Sequence, residues 1–76
     1  MTYQGRIVSD YKIMLGKPVI KGTRITVELI IRKLSEGATV GDLLEAYPSL
    51  NADDIYACLS YASEVISEEQ VIAPAE

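Results

Sequence analysis

Residue types that commonly build catalytic and metal sites are scarce in this chain. Its 76 residues include no histidine, tryptophan or phenylalanine and a single cysteine, Cys58. One cysteine cannot form an internal disulfide, and zinc sites of the Cys/His type need histidine. Because folds below roughly 70–80 residues often depend on a disulfide, a metal or a partner subunit, we expect oligomerisation or a bound partner to supplement one small core.

The same absences argue against catalysis. No histidine can act as a base, and Cys58 falls in a predicted helix among apolar residues, where nothing activates it as a nucleophile. The adjacent Asp53 and Asp54 point in different directions on a helix, so they do not form a carboxylate pair. We expect no enzymatic activity, no cofactor and no metal site, and we interpret Cys58 as a small buried hydrophobic residue.

Long apolar segments are also missing. No run of about 20 apolar residues is present to cross a bilayer. The first residues, MTYQGRIVSD, have neither the apolar core nor the cleavage pattern of a secretory signal. These absences predict a cytoplasmic protein without a membrane partner, in which Cys58 stays reduced.

Basic residues are absent from the second half of the chain. Positions 1–33 hold seven Lys or Arg and two acids, a net charge of +5, whereas positions 34–76 hold nine acids and no base, a net charge of −9. Such segregation is either ordinary solvated surface or a sign of two partners of opposite charge. The overall pI of about 4.7 is low for a nucleic-acid-binding domain and favours a protein-binding role.

What is present includes three segments with the apolar spacing of amphipathic helices. They span residues 27–34, 40–47 and 52–69. Thr26, Thr39 and Asn51 precede them as N-caps. The core-facing stripe of the third helix is predicted to be Ile55, Leu59, Ala62 and Ile66.

Short β elements are predicted before the helices. Residues 6–9 form one candidate strand, and residues 19–20 and 23–25 flank a tight turn at Lys21-Gly22. The whole pattern predicts a mainly α fold, in which a short N-terminal β-hairpin precedes a three-helix, helix-turn-helix-like bundle. We expect a single domain over residues 1–70 and a flexible tail over residues 71–76.

Residues 16–25, GKPVIKGTRI, allow two interpretations. A phosphate-binding loop of the type G-x-x-x-x-G-K-[ST] is excluded, because Pro18 follows Lys17 and Tyr11 stands where the first glycine is needed. The segment is either a hairpin that packs Val19 and Ile25 on the helices, with cations that keep its edge soluble, or a basic hairpin that lies along a phosphate backbone.

If nucleic acid is bound, basic residues of the first half are the candidates for contacting its phosphates. These DNA-binding candidates are Lys17, Lys21, Arg24, Arg32 and Lys33. The start of the third helix is not expected to read bases, because the carboxylates of Asp53 and Asp54 would be repelled by phosphates. Helix capping explains both acids better.

The acidic end of the chain is the candidate surface for a protein partner. Acids interleaved with aliphatic residues suit docking on a basic, partly apolar surface, although they also fit a fraying helix end. The partner-binding candidates are Glu64, Val65, Ile66, Glu68, Glu69, Val71 and Ile72. Tyr56, Tyr61 and Leu50 are either part of a self-association surface or a cover for the core.

Four of these segments together resemble a family of small bacterial and archaeal proteins, catalogued as a domain of unknown function and regarded as antitoxin-like and related to the VapB type. The similarity lies in GKPVIKGTRI, VELI, EGATVGDLLEAYPSL and DDIYACLSYA, and it runs from about Ile7 to Ala62. Thr26 stands where the family often has proline, and Cys58 replaces a usual alanine; both changes permit the same local structure.

The resemblance implies a helix-turn-helix-like fold and a neighbouring gene for a PIN-like ribonuclease toxin. It implies that the protein binds and neutralises this toxin, with operator DNA as a further partner. The alternative is a homodimeric protein-interaction module without nucleic-acid binding. Under both interpretations we expect a homodimer.

Overall fold

The computed structural model describes residues 4–68 as two short strands followed by three helices. The strands are β1 (Ile7–Val8) and β2 (Val19–Ile20), which pair antiparallel. The helices are α1 (Val27–Ser35), α2 (Val40–Ala46) and α3 (Ala52–Glu68). The predicted mainly α fold with a short N-terminal β-hairpin is therefore confirmed. The predicted tail, residues 71–76, lies outside the described residues. No helix within residues 4–68 has the length and apolar character needed to cross a bilayer.

The predicted turn after β2 is present, although the segment that follows it is not a regular strand. Residues 23–25 form no strand, because the chain turns at Lys21-Gly22 and the Thr23 N–H donates to the Ile20 carbonyl at 3.0 Å. Gly22 has a φ of 81°, as the third position of a type II turn requires. The Thr23 hydroxyl donates to the same carbonyl at 2.7 Å and accepts from the Ile25 N–H. The predicted pairing across the turn is nevertheless present as a single bridge between Val19 and Thr26, with the Ile20 N–H donating to the Ile25 carbonyl at 2.9 Å. β2 therefore lies between β1 and the segment that follows the turn.

The ends of α1 and the start of α2 follow their sequence signals. The Thr26 hydroxyl accepts from the Leu29 N–H at 3.0 Å, and Thr39 forms a reciprocal capping box with Asp42. At the end of α1, Gly37 has a φ of 102°, and the N–H groups of residues 37 and 38 donate to the carbonyls of residues 34 and 33. This pair of bonds is a Schellman motif, which ends the helix at a glycine.

A second capping box starts α3, and an arginine reinforces it. The Asn51 side chain accepts from the Asp54 N–H, and the Asp54 carboxylate accepts from the Asn51 N–H, both at 3.0 Å. Arg6 Nη1 donates to Asp54 Oδ1 at 3.0 Å across 48 positions of sequence. Because the Asp54 side chain is only 12% exposed, this ion pair joins the start of β1 to the start of α3 in a partly dry environment.

The core lies between the hairpin and the three helices, and α3 presents a different face to it from the one predicted. Buried apolar residues are Ile7, Val19, Ile20, Val27, Ile30, Leu43, Leu50, Ile55, Ala57 and Cys58. The predicted stripe is confirmed at Ile55, which is fully buried, and was wrong for Leu59 and Ile66, which are 43% and 65% exposed. The small side chains of Ala57 and Cys58 face the core instead. Their small size lets α3 approach the elements that pack against it closely.

Replacing Asp54 with alanine removes a helix cap and one partner of Arg6. We expect the free energy of unfolding to fall by roughly 2 kcal/mol, which combines a lost cap with a lost, partly buried hydrogen bond to a charged group. Urea unfolding followed by circular dichroism measures the change.

Asp53→Ala is the matched control for this substitution. The Asp53 carboxylate is 56% exposed and lies 3.6 Å from Arg6, so its removal should cost less than about 0.5 kcal/mol. Equal losses in the two variants would contradict a special role for Asp54.

Candidate functional site

Two of the five DNA-binding candidates share one carboxylate. Glu28, in the first turn of α1, accepts from Lys17 Nζ at 3.1 Å and from Arg32 Nη2 at 3.4 Å. The hydrogen bond and charge of Lys17, together with the charge of Arg32, hold the pKa of Glu28 below its usual value. All three side chains are more than half exposed, so these ion pairs are screened by solvent and contribute little stability.

The other three DNA-binding candidates lie elsewhere. Lys21 and Arg24 are exposed in the turn that follows β2. Lys33 lies on a different face of α1 from Arg32, because successive helix residues are about 100° apart. Within residues 4–68 no carboxylate forms an ion pair with Lys21, Arg24 or Lys33. The five candidates therefore occupy three parts of the fold, and their contact with nucleic acid stays a prediction.

An apolar groove of about 450 Å³ runs between α1 and the second half of α3. One wall consists of Pro18, Val27, Glu28, Ile31 and Arg32, and the other consists of Tyr61, Ala62, Val65 and Ile66. The wall on α3 thus includes Val65 and Ile66, two of the partner-binding candidates. A mostly apolar groove with charged groups at its edge is the usual form of a site for an apolar side chain or ligand.

The last two turns of α3 are exposed on every side. All of residues 63–68 are exposed, including the partner-binding candidates Glu64, Val65, Ile66 and Glu68. The whole of α3 carries four acids and no base. The remaining candidates, Glu69, Val71 and Ile72, lie outside the described residues. The structure therefore brings four of the seven candidates together on one acidic helix end.

A further exposed surface lies between β1 and β2, where no site was predicted. We call residues 10–16 the tip. It is closed by the Ile13 N–H, which donates to the Asp10 carbonyl at 2.7 Å, and by the Asp10 carboxylate, which accepts from the Lys12 N–H at 2.9 Å. Tyr11 and Leu15 are each 78% exposed. The tip is thus a structured turn that presents large apolar side chains to solvent.

The backbone of the tip is strained. Met14 and Leu15 have φ values of 51° and 56°, and Gly16 continues the left-handed turn with a φ of 85°. For residues with a Cβ this conformation costs roughly 1–2 kcal/mol each. The sequence signal for the tip was the run YKIML between Asp10 and Gly16, which is too short for a helix and does not alternate like a strand.

The residues expected to support self-association have different environments. Leu50 is buried in the core, Tyr61 is half-buried in the groove wall, and Tyr56 is 47% exposed. Cys58 is fully buried, and burial together with the charge of Asp54 raises its pKa from 9.0 to about 12.

These features define the chain as a small helical domain with a β-hairpin in front and several exposed surfaces suited to binding. The model of a family described as "Protein of unknown function (DUF433)" matches residues 7–62. The chain therefore belongs to the DUF433 family, as the sequence resemblance to a domain of unknown function predicted.

Individual relatives agree with this assignment. The uncharacterized protein y4eO of Sinorhizobium fredii is 38% identical over 56 residues, which is 74% of this chain and 25% of that protein. An uncharacterized protein of Archaeoglobus fulgidus is 63% identical over 27 residues, 36% of this chain and 75% of that protein. The crystal structure of a DUF433 member from Anabaena variabilis has a TM-score of 0.79 and 29% identity, and the match covers 86% of this chain and 64% of that one.

The raised pKa of Cys58 predicts a dependence of stability on pH. The folded state holds the thiol proton more tightly than the unfolded state, so this contribution is complete below pH 9.0 and is lost as the pH rises toward about 12. We expect the free energy of unfolding to fall more steeply over this range for the native sequence than for Cys58→Ala, as measured by urea titration. Parallel pH profiles for the two proteins would contradict the assignment.

Proposed function

We propose that this chain is an antitoxin-like protein that binds and neutralises a PIN-like ribonuclease toxin through the end of α3. The observation that carries this proposal is the acidic, exposed stretch of residues 63–68. Such a stretch is open to a partner that encloses the helix from several sides. The proposal places the protein in the cytoplasm together with its toxin.

Charge complementarity supports a ribonuclease as the partner. A ribonuclease must attract a polyanion, so the rim of its RNA-binding site is basic. Glu64 and Glu68, at the exposed end of a helix that carries no base, match such a rim. Opposite charges raise the rate of association and restrict the choice of partner. An acidic helix placed on that rim competes with RNA, which is a direct route to inhibition.

Apolar contact would add affinity to the electrostatic attraction. Ile66 is 65% exposed close to Glu64 and Glu68 on the helix end. A large aliphatic side chain that is exposed in the free protein gains free energy when a partner covers it, and a few such residues usually carry most of the binding energy. The exposed acids would then set partner choice and association rate, while Ile66 would slow dissociation.

Contact with operator DNA is a second part of the proposal. It is favoured by the turn after β2, where Lys21 and Arg24 are both exposed and no carboxylate within residues 4–68 pairs with either one. Cations that are not paired within the protein can release counterions from a phosphate backbone without first breaking an ion pair. Lys17 and Arg32 already share Glu28, so we assign them a smaller contribution.

Reversing the charge at the end of α3 should weaken the complex with the toxin. The probe is the small ribonuclease-like protein encoded by the adjacent reading frame, co-expressed and co-purified with this chain. We expect Glu64→Lys with Glu68→Lys to weaken binding roughly 10–100-fold, mainly through slower association at low salt. Surface plasmon resonance gives the rates, and an RNA-cleavage assay gives the loss of inhibition.

The matched control carries the same charge change on another part of the surface. Glu36, the C-cap of α1, and Glu45 on α2 are both exposed, and changing both to lysine should leave the affinity within a few-fold of the native value. A similar loss in both double variants, or no complex at all, would contradict binding through the end of α3.

Removing the cations of the turn should change the salt dependence of DNA binding. We expect Lys21→Ala with Arg24→Ala to flatten the plot of log affinity against log salt by about 2, because each lost phosphate contact lowers the slope by about 1. Lys17→Ala with Arg32→Ala is the control and should flatten it less. Fluorescence anisotropy on the upstream duplex measures both slopes, and an unchanged slope would remove Lys21 and Arg24 from the contact surface.

A further inference from the structure

The tip and the groove are complementary features of the same chain. The tip presents Tyr11 and Leu15, each 78% exposed, as a projecting apolar pair. The groove between α1 and α3 has about 450 Å³ of largely apolar space, which is in the range that binds compact apolar groups. Because the tip and the groove are both apolar and lie on the same small chain, the tip of a second copy is a suitable occupant of the groove.

Hydrogen bonds within the protomer hold the strained backbone of the tip, but they do not bury its apolar side chains. Leu15 adopts a left-handed backbone conformation with a φ of 56°, yet its side chain contributes little to its own core because it is 78% exposed. Strained conformations persist where the surrounding structure compensates for them and are concentrated at binding sites. A partner that buries Leu15 would supply that compensation.

The position of the tip next to the groove permits a closed dimer. Pro18, which lines the groove, follows the tip by two residues, and Lys17 reaches across to Glu28 on α1. In a two-fold interface the tip of one protomer meets the groove of the other and the reverse, so both features must lie near the same axis. If the tip lay far from the groove on each protomer, the same contact would instead link protomers into an open-ended assembly.

Charge also fits a second copy. Lys12 is the exposed cation of the tip, and Glu68 is an acid one helical turn beyond the groove residue Val65, on a helix without a base between residues 52 and 68. The two charged residues that line the groove, Glu28 and Arg32, already pair with each other. When the tip of one protomer enters the groove of the other, Lys12 approaches an acidic helix. Opposite charges at the edge of an apolar contact favour this pairing and set its orientation.

We infer that this chain forms a two-fold dimer in which the tip of each protomer, with Leu15 at its centre, fills the α1–α3 groove of the other. The dimer does not require the toxin, so this inference stands apart from the proposed function. The two contacts adjoin on α3, because Ile66 lines the groove, and the tests below separate them by substituting Leu15, which lies in the tip and outside the proposed toxin contact.

The first test is the oligomeric state of the isolated protein, measured by sedimentation equilibrium. We expect a dimer for the native sequence and at least about tenfold weaker dimerisation for Leu15→Gly, which removes the central side chain of the contact. Glycine adopts the left-handed conformation without strain, so this variant should fold at least as well as the native chain. Leu59→Ala is the control: its side chain is 43% exposed on α3 and does not line the groove, so dimerisation should be unchanged.

A disulfide test identifies which groove the tip occupies. The only natural cysteine, Cys58, is buried, so Leu15→Cys and Val65→Cys can be combined in one chain and oxidised. The inference predicts a covalently linked dimer, and neither single variant should give that product efficiently. A disulfide within one chain would mean that the tip fills its own groove, and it would overturn the inference.

Other outcomes also decide the question. A monomeric native protein, or a dimer that is equally stable in Leu15→Gly and in Leu59→Ala, would overturn the inference. If the isolated chain is monomeric and Leu15→Gly loses affinity for the ribonuclease-like protein, the toxin binds this surface instead of a second copy of the chain. If Leu15→Gly loses only dimerisation and still binds that protein, the dimer and the proposed function are supported as separate properties.

Discussion

The ion pair between Arg6 and Asp54 is the contact on which the arrangement of the other elements depends. The Asp54 carboxylate completes the cap of α3 with one oxygen and accepts from Arg6 with the other. One short side chain thus sets where α3 begins, which face it turns inward, and how β1 lies against it. In a domain with two short strands and a small core, few apolar contacts are available to fix these choices, so one satisfied polar contact has a large influence.

The local features could be predicted from sequence because each depends on neighbouring residues. Thr26, Thr39 and Asn51 cap the helices that follow them, and Gly37 ends α1. The rotation of α3 could not be predicted in this way. Its sequence contains two stripes with helical spacing, one through Ile55, Leu59, Ala62 and Ile66 and one through Asp54, Ala57, Cys58, Tyr61 and Val65. Hydrophobicity predicts that the first stripe faces the core. In the structure most of the second stripe faces the core, because the distant residue Arg6 pairs with Asp54 and because the small side chains of Ala57 and Cys58 allow close packing.

The segregation of charge along the sequence becomes less complete in three dimensions. Arg6 lies against the acids of α3, and Glu28 holds two cations of the basic half. The protein therefore does not have a basic face opposite an acidic face. Its remaining charged surfaces are a small turn with Lys21 and Arg24 and an acidic helix end. The low pI and this internal pairing both favour protein contacts over phosphate contacts, and the proposed phosphate contact would be confined to a few exposed cations.

The exposed apolar surface follows from the size of the domain. A short chain cannot bury all of its large apolar side chains. Most of the excess here lies in the tip, in the groove and at the end of α3, while Tyr56 and Leu59 are exposed earlier on α3. Closing each groove with the partner's tip would cover the first two, and because Ile66 lines the groove, it would also cover part of the apolar surface at the end of α3. A two-fold dimer would present two copies of this acidic helix end, each at the edge of the dimer interface, so the toxin would contact both the helix end and that edge.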